Sequence, residues 1–303
     1  MIRVGVVGCG PQTHADAWIP LINGTKDAPP QLERMRVATA WDLNPENAQR
    51  LSAEYGVETA DKPEEMLSQV DAAMITALDL SLYLDLSRLF LEAGIPTFVN
   101  RPLGPDVAIA RRILEIARER GTPVLSASAL YFAEGVQQAK ARLAELGPLR
   151  TFVASVAGGH FHWYAPHAIS TFYPVVGPGV EFVCAWGAGE SEPAGGELRS
   201  LVAYVQYRAD APAGRVQGVF QLLPYVGYGE YHLTLFGEKA RTEEIDGAAG
   251  NVYLPLLKAM EEMFVTRQEP IPHERMLEIA QILYAARRSH FEAHRAVCLE
   301  ETG

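Results

Sequence analysis

The chain has 303 residues, 48% apolar and 21% charged, which is enough to bury a core and too apolar for a disordered polymer. Its net charge of −11, with no long block of one sign, argues against nucleic acid and against an anionic membrane surface as partners. The three cysteines, Cys9, Cys184 and Cys298, have no paired spacing. There is no basic-then-apolar leader and no run of about 18 apolar residues, so a cytoplasmic protein with free thiols is expected.

The first part alternates strand and helix. Ile2–Gly8 is a continuous apolar run, as a strand buried on both faces requires. Gln12–Ile22 reads as helix and Met35–Trp41 as strand, ending at Asp42. Asn44 should cap a helix over Pro45–Tyr55, with proline at its first position and Gly56 as its stop. A short helix at Lys62–Gln69, a strand at Ala72–Ala77 and an apolar helix at Leu80–Ala93 follow. The next elements are a strand at Pro96–Val99, a helix at Pro105–Arg120, a strand at Pro123–Ser126 and a helix at Ala133–Leu146. This alternation predicts a doubly wound parallel sheet.

After Gly147-Pro148 the pattern changes. Thr151–Val156, Val180–Trp186, Leu198–Tyr207, Val216–Leu222 and Tyr231–Phe236 are strand-like, and turns such as Asp210–Gly214 point to a mostly antiparallel sheet. Helices are expected at Pro166–Val176, Val252–Arg267 and His273–Cys298. The fold class is α/β: a Rossmann-type doubly wound domain over residues 1–125, then an α+β domain over 126–303 with a large, mostly antiparallel open-faced sheet.

The opening "IRVGVVGCGPQTH" is a strand running into a glycine turn. Gly8 allows the tight turn, Gly10 lets backbone approach a pyrophosphate, and Pro11 and Gln12 lead into a helix whose N–H groups face the phosphates. Thr13 replaces the third glycine of the motif, a mild departure. Asp42, at the carboxyl end of the second strand, would accept the ribose hydroxyls and repel a 2′-phosphate. The segment "NGTKDAPPQLER" explains why Asp42 lies further along than the usual distance of about 20 residues. NAD is therefore expected, with NADP as the alternative.

The stretch "DAAMITALDLSLYLDLSRLFLEAGIPTFVNRPLG" and the ending "FEAHRAVCLEETG" resemble the glucose-fructose oxidoreductase/inositol 2-dehydrogenase (Gfo/Idh/MocA) family. The resemblance extends over nearly the whole chain and is stronger in the first domain. It implies cofactor contacts by Thr76, Asn100 and Arg101, and hydride transfer between nicotinamide and a sugar-like or polyol substrate held between the domains. It also implies homodimers or homotetramers formed through the second sheet.

Two departures from the family's pattern bear on the chemistry. Arg101 stands where the family has lysine in Glu-Lys-Pro; it stays protonated, so it can donate hydrogen bonds but cannot act as a base. In "WYAPHAISTFYPVVG" His167 matches the family histidine, while Trp163 and Ser170 occupy the places of its two aspartates. His167 is the best proton donor or acceptor, Tyr164 one turn earlier could relay a proton or pack, and Arg101 would position or polarise the reacting oxygen. His160 and His162 have strand spacing, which would put both on one face. With Trp163 they are expected to line the substrate pocket, and no metal is expected, although with His167 they could form a three-nitrogen site.

His14 could contact the cofactor or pack. Tyr225, Tyr228 and Tyr231 could reach a ligand or form sheet surface, and His273, His290 and His294 read as solvated or capping groups. The alternative to a working oxidoreductase is a catalytically silent member of the family that binds dinucleotide or sugar as a sensor.

Overall fold

In the computed structural model, which describes residues 1–189, 198–224, 231–239, 242–246 and 250–303, the opening apolar run forms strand β1 (Ile2–Val7). Its last four residues are buried, as the centre of a parallel sheet requires. There follow α1 (Ala15–Asn23), β2 (Met35–Trp41), α2 (Pro45–Tyr55), β3 (Glu58–Thr59), β4 (Ala72–Ile75), α3 (Tyr83–Glu92), β5 (Thr97–Val99), α4 (Val107–Arg120) and β6 (Val124–Leu125). The six strands are all parallel, in the order β3-β2-β1-β4-β5-β6, the doubly wound arrangement the alternation predicts.

Local chemistry sets several of these boundaries. The Asn44 side chain accepts the Glu46 N–H at 3.2 Å to open α2, and Gly56, at φ +66°, closes it. Asp106 caps α4 by accepting the Ile109 N–H at 2.8 Å, and Gly121 ends it at φ +60°. The first helix begins at Ala15 rather than Gln12: Gln12 has φ +72°, incompatible with a right-handed helix, and the Thr13 hydroxyl donates to the Gly10 carbonyl at 2.8 Å. The expected helix at Leu80–Ala93 is divided, because the Asp79 carboxylate caps a separate 3₁₀ turn over Leu80–Leu82 before α3 starts.

The second half contains α5 (Glu134–Leu146), β7 (Leu149–Ala157), α6 (Phe161–Val176), β8 (Val180–Gly189), β9 (Leu198–Tyr207), β10 (Gln217–Leu223), β11 (Tyr231–Gly237), β12 (Thr242–Asp246), α7 (Tyr253–Thr266), α8 (His273–Phe291) and β13 (Val297–Cys298). Seven strands pair in the order β12-β11-β7-β10-β9-β8-β13, all antiparallel except the β7–β10 pair. Helix α6 covers one face; Phe172 on it stacks on Phe152 of β7 at 4.5 Å and on Phe220 of β10 at 6.1 Å.

The other face of this sheet carries Phe182, Cys184 and Trp186 of β8, Val202, Tyr204 and Gln206 of β9, Gln217, Val219 and Gln221 of β10, and Thr151, Val153 and Ser155 of β7, placed side by side by the register. None is charged, and Trp186 and Val202 are 52% and 47% exposed.

Two elements differ from expectation in ways that matter below. Helix α6 begins at Phe161, not Pro166, so His162, Trp163 and Tyr164 are helical. The last helix stops at Phe291 instead of running to Cys298. Ala293 and His294 have φ of +56° and +62°, and the Ser289 hydroxyl donates to the Arg295 carbonyl at 2.6 Å, which turns Val297–Cys298 into a strand against β8.

The chain divides into two compact units, Met1–Ala127 with Leu256–Met276, and Ser128–Pro255 with Leu277–Gly303. The return of Leu256–Met276 to the first unit is anchored by carboxylates. Glu261 accepts the Arg34 N–H at 2.7 Å, and Glu269 accepts the N–H of Val124, on the edge strand β6, at 3.0 Å. Among the described residues no helix is long and apolar enough to cross a membrane.

Candidate functional site

The glycine turn lies in the first unit, between β1 and α1. Gly8 has φ +85°, and a Cβ there would collide with the backbone of Ala77. The Thr76 hydroxyl donates to the Gly8 carbonyl at 2.5 Å, so the end of β4 holds the turn from below. Among the described residues the N–H groups of Gly10 and Gln12 have no hydrogen-bond partner, and Pro11 has no N–H to satisfy. Open amides ahead of a helix N-terminus suit a phosphate.

Asp42 is bonded into the turn. Its Oδ2 accepts the Cys9 N–H at 2.6 Å, and its Oδ1 accepts the Asn44 N–H at 3.0 Å and the Asn47 amide at 2.9 Å. A carboxylate has about four acceptor positions, so one remains for a ribose hydroxyl. Asn47 also lies against the turn, where a Cβ on Gly10 would meet its Nδ2 at 2.8 Å. From the same helix, Arg50 donates to the Cys9 carbonyl at 3.2 Å and pairs with Asp16 at 2.6 Å. The Cys9 thiol is pushed up to about 12 by burial and by Asp42, which rules it out as a thiolate nucleophile. A cleft of about 310 Å³ opens here, lined by Gly8, Gly10, Trp41, Asp42, Leu43 and Leu78 among others. Its polar floor and apolar flanks fit the adenosine half of a dinucleotide.

A second cluster of the same unit joins three of the candidates. His14 Nδ1 lies 3.2 Å from the Asn100 amide nitrogen and 3.5 Å from Arg101 Nη1, and its ring stacks on Trp18 at 4.7 Å. Burial, then the Arg101 charge, drives the His14 pKa well below its ordinary value, so the ring is neutral and Nδ1 accepts. Arg101 Nη1 also approaches Asn100 Oδ1 at 3.4 Å, and the Arg101–Pro102 peptide is cis.

His167 lies in the second unit and is 8% exposed, on the buried side of α6. Its Nδ1 is 2.6 Å from the hydroxyl of Ser128. The rings of Tyr164 and Tyr231 approach it edge-on at 6.0 and 5.5 Å. Gly158 makes room for Tyr164, because a Cβ there would collide with the phenol ring.

The expected pairing of His160 with His162 on one strand face is overturned by the early start of α6. His160 is the N-cap residue, its ring stacked near Tyr164 at 6.5 Å, while His162 is in the first turn, against Phe161 at 5.3 Å and Tyr284 at 6.3 Å. Trp163 is half-buried. No group of three or more metal-ligating side chains occurs among the described residues.

Tyr225 and Tyr228 lie outside the described residues. The three C-terminal histidines are bonded rather than solvated. His273 pairs with Glu269 at 2.7 Å, His290 Nδ1 accepts the Gly187 N–H at 3.1 Å, and His294 Nδ1 lies 2.9 Å from the Ala185 carbonyl.

Two further site residues, Asn47 and Ser128, carry only weak signals in the sequence. Asn47 had one available signal, a polar side chain in the first turn of the helix that follows the acidic residue. Ser128 had another, a hydroxyl residue directly ahead of a short apolar turn, which is a capping pattern.

Residues 2–128 match the profile of GFO_IDH_MocA, the oxidoreductase family with an NAD-binding Rossmann fold. YceM of Salmonella typhimurium is 26% identical over 149 residues, 49% of this chain and 46% of that protein, so the chain matches about half the length of this relative. Among solved structures, scyllo-inositol dehydrogenase from Lactobacillus casei, with bound NAD(H) and scyllo-inositol, superposes over 99% of both chains at 17% identity and a TM-score of 0.81. An oxidoreductase from Agrobacterium radiobacter, in complex with NAD+, L-tartaric acid and magnesium, superposes over 99% of both chains at 12% identity and a TM-score of 0.80. At these identities the likeness is one of fold. The glycine turn, the acidic residue bonded into it and the family match agree: residues 2–128 match the NAD-binding Rossmann domain of the GFO_IDH_MocA oxidoreductase family.

Proposed function

We propose that this chain is an NAD-dependent oxidoreductase acting on a sugar-like or polyol-derived substrate. Gly8, Gly10, Pro11 and Gln12 form the pyrophosphate turn, Asp42 takes the ribose hydroxyls, and Thr76, Asn100 and Arg101 complete the cofactor contacts. A bound nicotinamide supplies or accepts hydride; all other functions fall to the protein. Arg101 donates to the reacting oxygen and His167 serves that oxygen's proton chemistry, with Tyr164 beside it. His160 and Trp163 line the substrate side, and His162 packs on Phe161 and Tyr284 instead.

The observation that carries this proposal is the pair of open amides at Gly10 and Gln12 next to an acid bonded to the same turn. Its test is a panel of polyols and keto-sugars followed at the NADH absorbance. His167→Ala should lower turnover by about 10²–10⁴-fold while NAD affinity stays within about twofold. Unchanged turnover removes His167 from the chemistry.

A catalytically silent sensor is the second proposal. It is favoured by Arg101 standing in place of a titratable lysine and by the lack of an aspartate one turn before His167. NAD binding without redox on any substrate supports it.

The part of the sheet face formed by β7, β8, β9 and β10, which bears Trp186 and Val202, is proposed to pair with a second copy of the chain. The three free cysteines agree with a cytoplasmic setting.

A further inference from the structure

In the family the chain resembles, a carboxylate one turn before the histidine is available to orient the ring. Trp163 fills that place here, and it neither accepts nor carries charge. Ser128 does the orienting instead. It lies 39 residues earlier, is 1% exposed, and its hydroxyl meets His167 Nδ1 at 2.6 Å. The same oxygen accepts the Leu130 N–H at 3.1 Å, so Ser128 also caps the 3₁₀ turn over Ala129–Tyr131 and is held in one rotamer.

A serine hydroxyl donates one hydrogen bond and accepts two. The Ser128 oxygen already accepts from Leu130, and among the described residues its only neighbour able to accept is His167 Nδ1. If Nδ1 carried the proton, the buried Ser128 hydrogen would be left without an acceptor. If His167 were doubly protonated, the same hydrogen would be orphaned. Only a ring unprotonated at Nδ1, and so carrying its proton at Nε2 when neutral, gives the Ser128 hydrogen an acceptor.

We infer that Ser128 is a positioning residue that fixes His167 as the neutral Nε2–H tautomer, so that the ring presents a hydrogen-bond donor to the substrate oxygen. The consequence for catalysis rests on the oxidoreductase function proposed above; the tautomer itself does not. In this form His167 donates a hydrogen bond at Nε2 and moves no proton by itself; the proton that a reduced oxygen takes up comes from water. The ring accepts a proton from an alcohol at Nε2 only after the Ser128 hydroxyl gives up its acceptor. An orphaned buried hydroxyl disfavours that form by about tenfold or more.

The experiment is long-range ¹H–¹⁵N NMR of the imidazoles in full-length protein labelled with ¹⁵N-histidine, without cofactor, at pH 8. His167→Asn assigns the signal. The wild type should show the Nε2–H pattern with at least about tenfold preference. Ser128→Ala should reduce that preference by about tenfold, and Ser128→Thr, which keeps both the hydroxyl and the turn cap, should restore it. Wild-type protein showing the Nδ1–H or doubly protonated ring overturns the inference, as does an unchanged tautomer in folded Ser128→Ala. If Ser128→Ala does not fold, the wild-type and Ser128→Thr spectra decide alone. No part of this readout depends on turnover, so a failure of the redox proposal, seen as absent NAD binding, is distinguishable.

Discussion

Asp42 illustrates how one side chain can serve both the fold and a ligand. Its carboxylate accepts from Cys9 and Asn44 of the backbone and from the Asn47 amide, tying the glycine turn to β2 and α2. Asp42→Ala should therefore lower the unfolding free energy by about 1–3 kcal/mol in denaturant titration, as well as weakening NAD. Loss of NAD affinity with no loss of stability would mean the internal bonds are incidental.

His14 makes a separate prediction. Its folded pKa lies well below the ordinary value through burial and Arg101, so the unfolded chain binds more protons as pH falls below about 6.5. Stability should be level above that pH and should decline progressively as the pH falls below it. His14→Gln should flatten that slope in thermal melts; an unchanged slope would put the acid sensitivity elsewhere.

These residue roles were legible to different degrees. Gly8 and Gly10 stand in a local turn motif, Asp42 at the end of the next strand and Arg101 in a short Asn-Arg-Pro run, so the sequence displays them. Ser128 and His167 meet across 39 residues, and only the folded chain reveals that partner.

At the scale of elements, the parallel strands and the helices with sharp caps were readable because their signals are local. The Asn44 cap and the Gly56 stop of α2 are examples, and Asn44→Ala should cost about 1 kcal/mol in chemical denaturation. Gly8→Ala should be worse, above about 2 kcal/mol, because it combines φ +85° with a collision against Ala77. A Gly8→Ala protein of normal stability would contradict the geometry of the turn.

Helix α6 was harder to place. Pro166 looked like a first-turn residue, yet it lies in the second turn of a helix that starts at Phe161. The strand β13 was also hidden. It forms because Ser289 and two residues of positive φ redirect the chain after α8, and neither feature has a periodic signature.

Considered as a whole molecule, the chain has one parallel sheet and a second whose open face is uncharged across β7, β8, β9 and β10. The crossing of Leu256–Met276 back to the first unit is held by Glu261 and Glu269, single long-range acceptors that no sequence pattern announces. The open face makes its own prediction. Val202→Asp, at a 47% exposed position amid neutral neighbours, should shift sedimentation from an oligomer to the monomer with the fold intact. A wild type that sediments as a monomer would remove that assignment.

We propose that the turn after β1, with Asp42 bonded to it, holds NAD. Calorimetric titration of the full chain with NAD+ and NADH measures this directly. One site per chain is expected, with a dissociation constant between about 1 μM and 1 mM, weakened by about tenfold or more in Asp42→Ala. Absence of heat at millimolar NAD+ and NADH, or equal affinity in the Asp42→Ala protein, would contradict it.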